Sequence, residues 1–185
     1  MCLSAAQLNE VTVAAAAVTA LAFAGRPAMV AAPTIKGDGP KRAQIELGRN
    51  RLRLLPGTHK GDALGKHWKG PSPWVAERPG DIVCPVLAVR IRDTPSHQET
   101  AMFPRVSRHG SIGNTTTQHL RAFGKRMSRR GNTASFRAGH ATAAFAGGSD
   151  PHTIKQFGMW KSDAWTTYVR VRPDTAAAHM DAVYK

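Results

Sequence analysis

The chain has 185 residues and a formal net charge of +14, from 26 Lys and Arg against 12 Asp and Glu, a surplus that points to a polyanionic partner, most often nucleic acid. With 42% hydrophobic and 21% charged residues, the composition is that of one globular domain with a single sizeable core, not of a disordered chain. Two cysteines, Cys2 and Cys84, exclude a disulfide framework, and none of the eight histidines stands at metal-ligand spacing with Cys or Glu, so no metal is expected.

An alanine-rich helix is predicted from about Ser4 to Ala24. Its apolar stretch, Val11 to Gly25, reads as too short and too weakly hydrophobic to span a bilayer, and no membrane partner is expected. Ala22-Phe23-Ala24 mimics a signal-peptide cleavage site, but Glu10 precedes the run where Lys or Arg would be needed, so a core helix is the simpler reading. Residues 26–41 are broken by Pro and Gly. Ile45 and Leu47, then Gly48-Arg49-Asn50, then Leu52 and Leu54 alternate with period two around turn residues and predict a β-hairpin. Pro56-Gly57 turns the chain again before His59-Lys60-Gly61-Asp62, and Asp62 to Gly80 reads as a loop.

A helix is predicted from Pro85 to Arg90, followed by a polar segment to about Thr117 and a helix over Gln118 to Met127. Asn132-Thr133 can cap the next helix, which Gly147-Gly148 stops. Asp150-Pro151 pairs a cap with a first helical residue, and Gly158 ends that short helix. Ser162 caps a last helix from Ala164 to Arg170, with Trp165 and Tyr168 three residues apart on one side.

The run Ser135-Phe136-Arg137-Ala138-Gly139-His140-Ala141-Thr142, the run from Asp150 through Gly158-Met159-Trp160-Lys161-Ser162-Asp163-Ala164-Trp165, and finally Tyr168-Val169-Arg170 together resemble the catalytic end of the tyrosine recombinase (phage integrase) family. The likeness is to the branch found in eukaryotic mobile elements. Order and spacing match tightly from Asn132 to Arg170 and loosely before it. Upstream, Leu21-Ala22-Phe23-Ala24-Gly25-Arg26 resembles the entry to the family's first arginine, and Gly57-Thr58-His59-Lys60 its lysine turn. Cys84-Pro85-Val86-Leu87-Ala88 and Met102-Phe103-Pro104 resemble landmarks between that lysine and the second arginine.

The resemblance implies an α+β fold, mainly helical, with a small antiparallel sheet from the Ile45 to Lys60 region. It implies one catalytic-type domain over 1–185: a helix and first-Arg region (1–44), a hairpin with Lys (45–62), loop and helices (63–131), motif-bearing helices (132–170) and a tail (171–185). The family's N-terminal core-binding domain is expected to be absent from the chain or carried on a separate polypeptide. The implied activity is site-specific DNA recombination or integration through a covalent 3′-phosphotyrosine, without cofactor. The implied setting is intracellular, nuclear in a eukaryote, with double-stranded DNA as partner and self-association on it, for which the tail is a candidate.

By the same resemblance Arg26, Lys60, Arg137, Trp160 and Tyr168 are the catalytic residues. A tyrosine hydroxyl with pKa about 10 needs roughly 4 kcal/mol of help to attack at neutral pH. Two guanidiniums offer planar forks to the non-bridging phosphate oxygens, where charge grows in the transition state. Lys60 would protonate the departing 5′ hydroxyl, and Trp160 would donate its indole N–H to the phosphate while packing Tyr168. Lys125, Arg126, Arg129 and Arg130 form the strongest basic run and are expected to contact DNA phosphates. Taken singly, Arg137 reads as a surface charge and Trp160 and Tyr168 as packing residues, so the joint spacing carries the argument.

The pattern departs from the family at two positions. Ala134 stands where a histidine is expected, three residues before Arg137, and Met29 where an acidic residue often orients the first arginine. Loss of one transition-state donor costs about 10²–10³ in rate, so impaired catalysis is expected unless His140, one turn after Arg137, acts as an auxiliary. Two alternatives therefore stand beside the enzyme: a catalytically impaired DNA-binding remnant of a mobile-element recombinase, and a generic basic RNA-associated protein.

Overall fold

Helix α1, Ala5–Ala22, runs through the middle of the fold and packs against α2 (Pro85–Arg92), α3 (Thr117–Met127), α4 (Ala134–Ala146) and strand β4 (Pro104–Val106). The structure is a computed structural model that describes residues 4–36, 38–55, 72–81, 83–92, 101–129, 131–171 and 173–183. Ser4 caps α1 reciprocally: its hydroxyl accepts from the Gln7 N–H and its own N–H donates to Gln7 Oε1. Alanine on several sides lets neighbours approach closely, so Ala15, Ala16, Ala17 and Ala20 are all buried. The hydroxyls of the buried Thr12 and Thr19 donate back to the carbonyls of Leu8 and Ala15, which keeps them satisfied in an apolar setting.

With 18 residues and a mean hydropathy of 1.3, α1 does meet the minimum length and composition of a bilayer span. This corrects the sequence expectation that its apolar run is too short, which counted from Val11 and missed the first two turns. Packing accounts for the apolarity of the helix from Thr12 onward, where Thr12, Val13, Ala15, Ala16, Ala17, Thr19 and Ala20 are buried, while Ala5, Ala6, Gln7 and Glu10 in its first turns are exposed.

The predicted hairpin forms as β1 (Ile45–Leu47) and β2 (Arg51–Leu54), with Ile45 opposite Leu54 and Leu47 opposite Leu52. Leu52 and Leu54 are almost completely buried, each contributing about 1.5–3 kcal/mol by burial. Glu46, Arg51 and Arg53 take the other face, where Arg53 pairs with Glu46 and both arginines stack on Trp74 at 4.3 and 4.4 Å. A third antiparallel strand, β3 (Val75–Ala76), joins β2. It lies in the stretch read as loop, and two residues are too few to carry a period-two signal.

A second antiparallel pair, β4 with β5 (Ile112–Asn114), was also unexpected, because its strands are three residues each and include Pro104, Gly113 and Asn114, all poor strand formers. Tertiary context supplies what propensity lacks. Asn9 on α1 donates to the Val106 carbonyl and accepts from its N–H, at 2.8 and 2.9 Å, and Ile35 packs against Gly113, where any side chain would collide with it.

α2 continues two residues past its predicted end, and α3 begins one residue earlier because Thr116 and His119 form a capping box. Helices α5 (Pro151–Gly158) and α6 (Pro173–Val183) follow, the latter within the segment read as a tail. The fold is α+β and mainly helical with two small antiparallel sheets, as expected in class. The Lys60 turn, with Pro56-Gly57 and His59, and Arg130 lie outside the described residues. Beside the main core, Ala24, Ala141, Ile154, Trp160 and Trp165 make a smaller apolar cluster, on which Tyr168 and Val169 pack.

Candidate functional site

Arg137 sits in the first half of α4, whose start differs in detail from expectation. Thr133 occupies the cap position without a side-chain bond, and Asn132 Oδ1 instead accepts from the N–H groups of Ala134 and Ser135 at 2.8 and 3.2 Å. α4 crosses α1 at Gly139, where a Cβ would lie 3.2 Å from Leu21 Cδ1. That crossing carries the Arg137 side chain under the C-terminal turn of α1.

The guanidinium is buried, with only 6% of the residue exposed, and is held from both sides. Nη1 donates to the Ala24 carbonyl at 2.8 Å and Nη2 to the Gly158 carbonyl at 2.9 Å. Both acceptors belong to unusual turns. Ala24 has φ 45° and Met159, directly after Gly158, has φ 49°, the two positive-φ non-glycine residues among those described. Left-handed backbone at non-glycine residues costs of order 1–3 kcal/mol each and collects where surrounding structure imposes it. Here it aims two carbonyl oxygens at one cation.

Trp160 follows Met159 and covers the guanidinium, with Arg137 Cζ 4.3 Å from its ring centroid. Its indole lies directly on Gly158, where a Cβ would overlap the ring, so glycine is required there for contact and not for conformation. Tyr168 completes the stack at 5.8 Å from Trp160 and 5.7 Å from Arg137 Cζ. The Arg137 guanidinium is lowered to about 10, by burial first and then by the charge of Arg26. Attraction to Tyr168 and a side-chain hydrogen bond with it act in the opposite direction. Arg137, Trp160 and Tyr168 therefore converge, whereas Arg26 is exposed and reaches the cluster only through its charge on Arg137.

The helix predicted over Ala164 to Arg170 is instead a 3₁₀ helix, Asp163–Tyr168. Ser162 caps it as expected. The hydroxyls of Thr166 and Thr167 donate to carbonyls three residues back, which favours the tighter winding, and Lys155 pairs with Asp163 at 3.2 Å. The winding keeps Trp165 and Tyr168 on one side. Thr142 of α4 then latches the end of this helix: it accepts from the Arg170 N–H at 3.0 Å and donates to the Tyr168 carbonyl at 3.4 Å.

His140 lies one turn from Arg137, but its Nδ1 is 3.0 Å from the Leu21 carbonyl and its ring is 5.7 Å from Phe157. Because a carbonyl only accepts, Nδ1 carries the hydrogen. Ala134 is exposed, and Met29 packs against the main core. Lys125, Arg126 and Arg129 are exposed at the end of α3, and Arg126 is tied to Glu10 in the first half of α1, away from the Arg26 end. The holding roles of Ala24, Gly158 and Thr142 were missed by sequence reasoning. Only Gly158 had a local signal, and it read as a helix stop. The indole nitrogens of Trp160 and Trp165 are buried without hydrogen-bond partners. No protein-family model and no curated protein matches the chain.

Proposed function

We propose that the chain cleaves and rejoins DNA through a covalent 3′-phosphotyrosine at Tyr168, within a recombinase-like catalytic domain. The observation that carries this reading is the convergence of Arg137, Trp160 and Tyr168 on one cluster with the charge of Arg26 beside it, from elements spread over the chain. Tyr168 Oη releases its proton to solvent as it bonds to the scissile phosphorus, the bond to the 5′ oxygen breaks, and that oxygen takes a proton, in the resemblance from Lys60. The two arginines stabilise the charge that grows on the non-bridging oxygens. The Trp160 N–H, buried and without a partner, becomes a donor for the same group once the indole is uncovered. The phosphotyrosine conserves the energy of the broken bond, so rejoining by a 5′ hydroxyl needs no nucleotide cofactor. α6, with Met180 and Val183 exposed, is the surface we assign to self-association on DNA.

A second reading, a DNA-binding remnant with impaired chemistry, is favoured by one specific observation. Both Nη groups of Arg137 already donate to main-chain carbonyls, and Ala134 supplies no further donor. Incubation with a nicked duplex that traps the cleaved state separates the two. The enzyme reading expects a denaturation-resistant protein–DNA adduct that Tyr168→Phe abolishes. DNA affinity without an adduct supports the remnant, and absence of both refutes the two together.

A further inference from the structure

A second basic site lies at the opposite end of α1. The first turns of α1, β4 with its following turn, and α3 enclose a cleft of about 810 Å³ whose lining includes Glu10, Arg105, Arg108, His119 and Arg126. A neighbouring cavity of about 300 Å³ shares Asn9, Arg105, Val106, Ser107 and His119 with it and adds Lys36. The two together are lined by four Lys or Arg side chains and one carboxylate, Glu10, which is already paired with Arg126 at 2.9 Å.

Arg105 is the least compensated of these cations. Its Nε is buried without a hydrogen-bond partner, and among the described residues no carboxylate pairs with it. Burial lowers its guanidinium from the ordinary arginine range. The strand that carries it is pinned to α1 by the twofold Asn9–Val106 bond, which fixes the backbone from which the side chain enters the cleft. His119 is prepared as a donor. The Thr116 N–H donates to its Nδ1 at 3.0 Å, which leaves the hydrogen on Nε2. Burial, then the charge of Arg105, holds this imidazole below its ordinary value. A polyvalent anion would reverse that field, giving the unpaired guanidinium a partner and His119 an acceptor.

We propose that this cleft binds a phosphate group, held by the Arg105 and Arg108 guanidiniums with His119 Nε2–H as a third donor. Phosphate suits the site because its oxygens can accept from several of the donors that line one cleft, and the cleft has room for the nucleoside or neighbouring nucleotides attached to it. Glu10 and Ala22, the last residue of α1, are 12 positions apart, about 18 Å at 1.5 Å per residue, and Ala24 lies just beyond that end. The site is therefore distinct from the Arg137 cluster and holds whether or not Tyr168 attacks DNA.

The test follows the His119 and Arg105 side-chain resonances by NMR while inorganic phosphate, and separately a short DNA duplex, is added. Saturable shifts with phosphate are expected, with affinity reduced about tenfold or more in Arg105→Gln and in Arg108→Gln. Arg108 is exposed, so its variant keeps the test valid if Arg105→Gln fails to fold. Shifts by both probes, with mutual competition, identify the DNA backbone as the source of the phosphate. Shifts by phosphate alone identify a small phosphorylated ligand. Absence of saturable shifts with phosphate, or shifts that both variants leave intact, overturns the proposal.

Discussion

Replacing Gly158 by alanine sets two known effects against each other. In a helix interior alanine is favoured over glycine by about 0.8–1.0 kcal/mol, which is the upper bound at Gly158, the last residue of α5. The new methyl, however, would occupy the volume of the Trp160 ring, so the indole has to move. Displacing it loses the contact with the buried Arg137 guanidinium, worth about 2 kcal/mol, and the pairing with Tyr168, worth about 1 kcal/mol. The net expectation is a destabilisation of about 2 kcal/mol, or roughly 4–8 °C in Tm for a chain of this size. Thermal unfolding by circular dichroism measures it, and near-UV dichroism with tryptophan emission reports loss of the fixed indole. A variant as stable as the parent, with an unchanged near-UV spectrum, would refute the account of why glycine stands at this position.

Two further outcomes follow from the same structure. Burial holds His140 below the ordinary histidine value, the Leu21 carbonyl opposes this, and the charge of Arg137 adds to it. The unfolded chain therefore binds the proton first as pH falls through about 6.5, so this contribution to stability is present above that value and is lost below it. His140→Asn retains a donor for Leu21 and does not titrate; its unfolding free energy should fall less steeply between about pH 7 and 5 than that of the parent. Equal slopes in the two proteins would remove His140 from the account. Asn9→Ala leaves both the N–H and the carbonyl of Val106 without their partner and should cost about 2–4 kcal/mol in urea unfolding, since two main-chain groups lose their bonds at once. A cost below about 0.5 kcal/mol would mean that water replaces the asparagine without penalty.

Helix α5 shows what a local signal can do. Asp150 followed by Pro151 marks its start and Gly158 its end, and the structure agrees at both, because capping and termination depend on atoms within a few residues of each other. The β1–β2 hairpin was readable for the same reason, as its buried leucines alternate around a turn. β3 and the β4–β5 pair were not. Strands of two or three residues carry no period, and β4–β5 exists because Asn9 and Ile35 brace it from distant parts of the chain.

The charge, both ends of α5 and the spacing of Arg137, Trp160 and Tyr168 along the chain were legible in the amino-acid sequence alone. Only the tertiary structure decided what those residues touch. Arg137 is fixed by a carbonyl 113 positions away and another 21 positions away, each aimed by a residue in left-handed backbone that no residue type announces. The cleft around Arg105 has the same origin, since it assembles where α1, β4 and α3 meet. The physical reason is common to both: caps and periodicity are set by neighbours in sequence, whereas burial, and with it the partners and the charge state of a guanidinium, is set by neighbours in space.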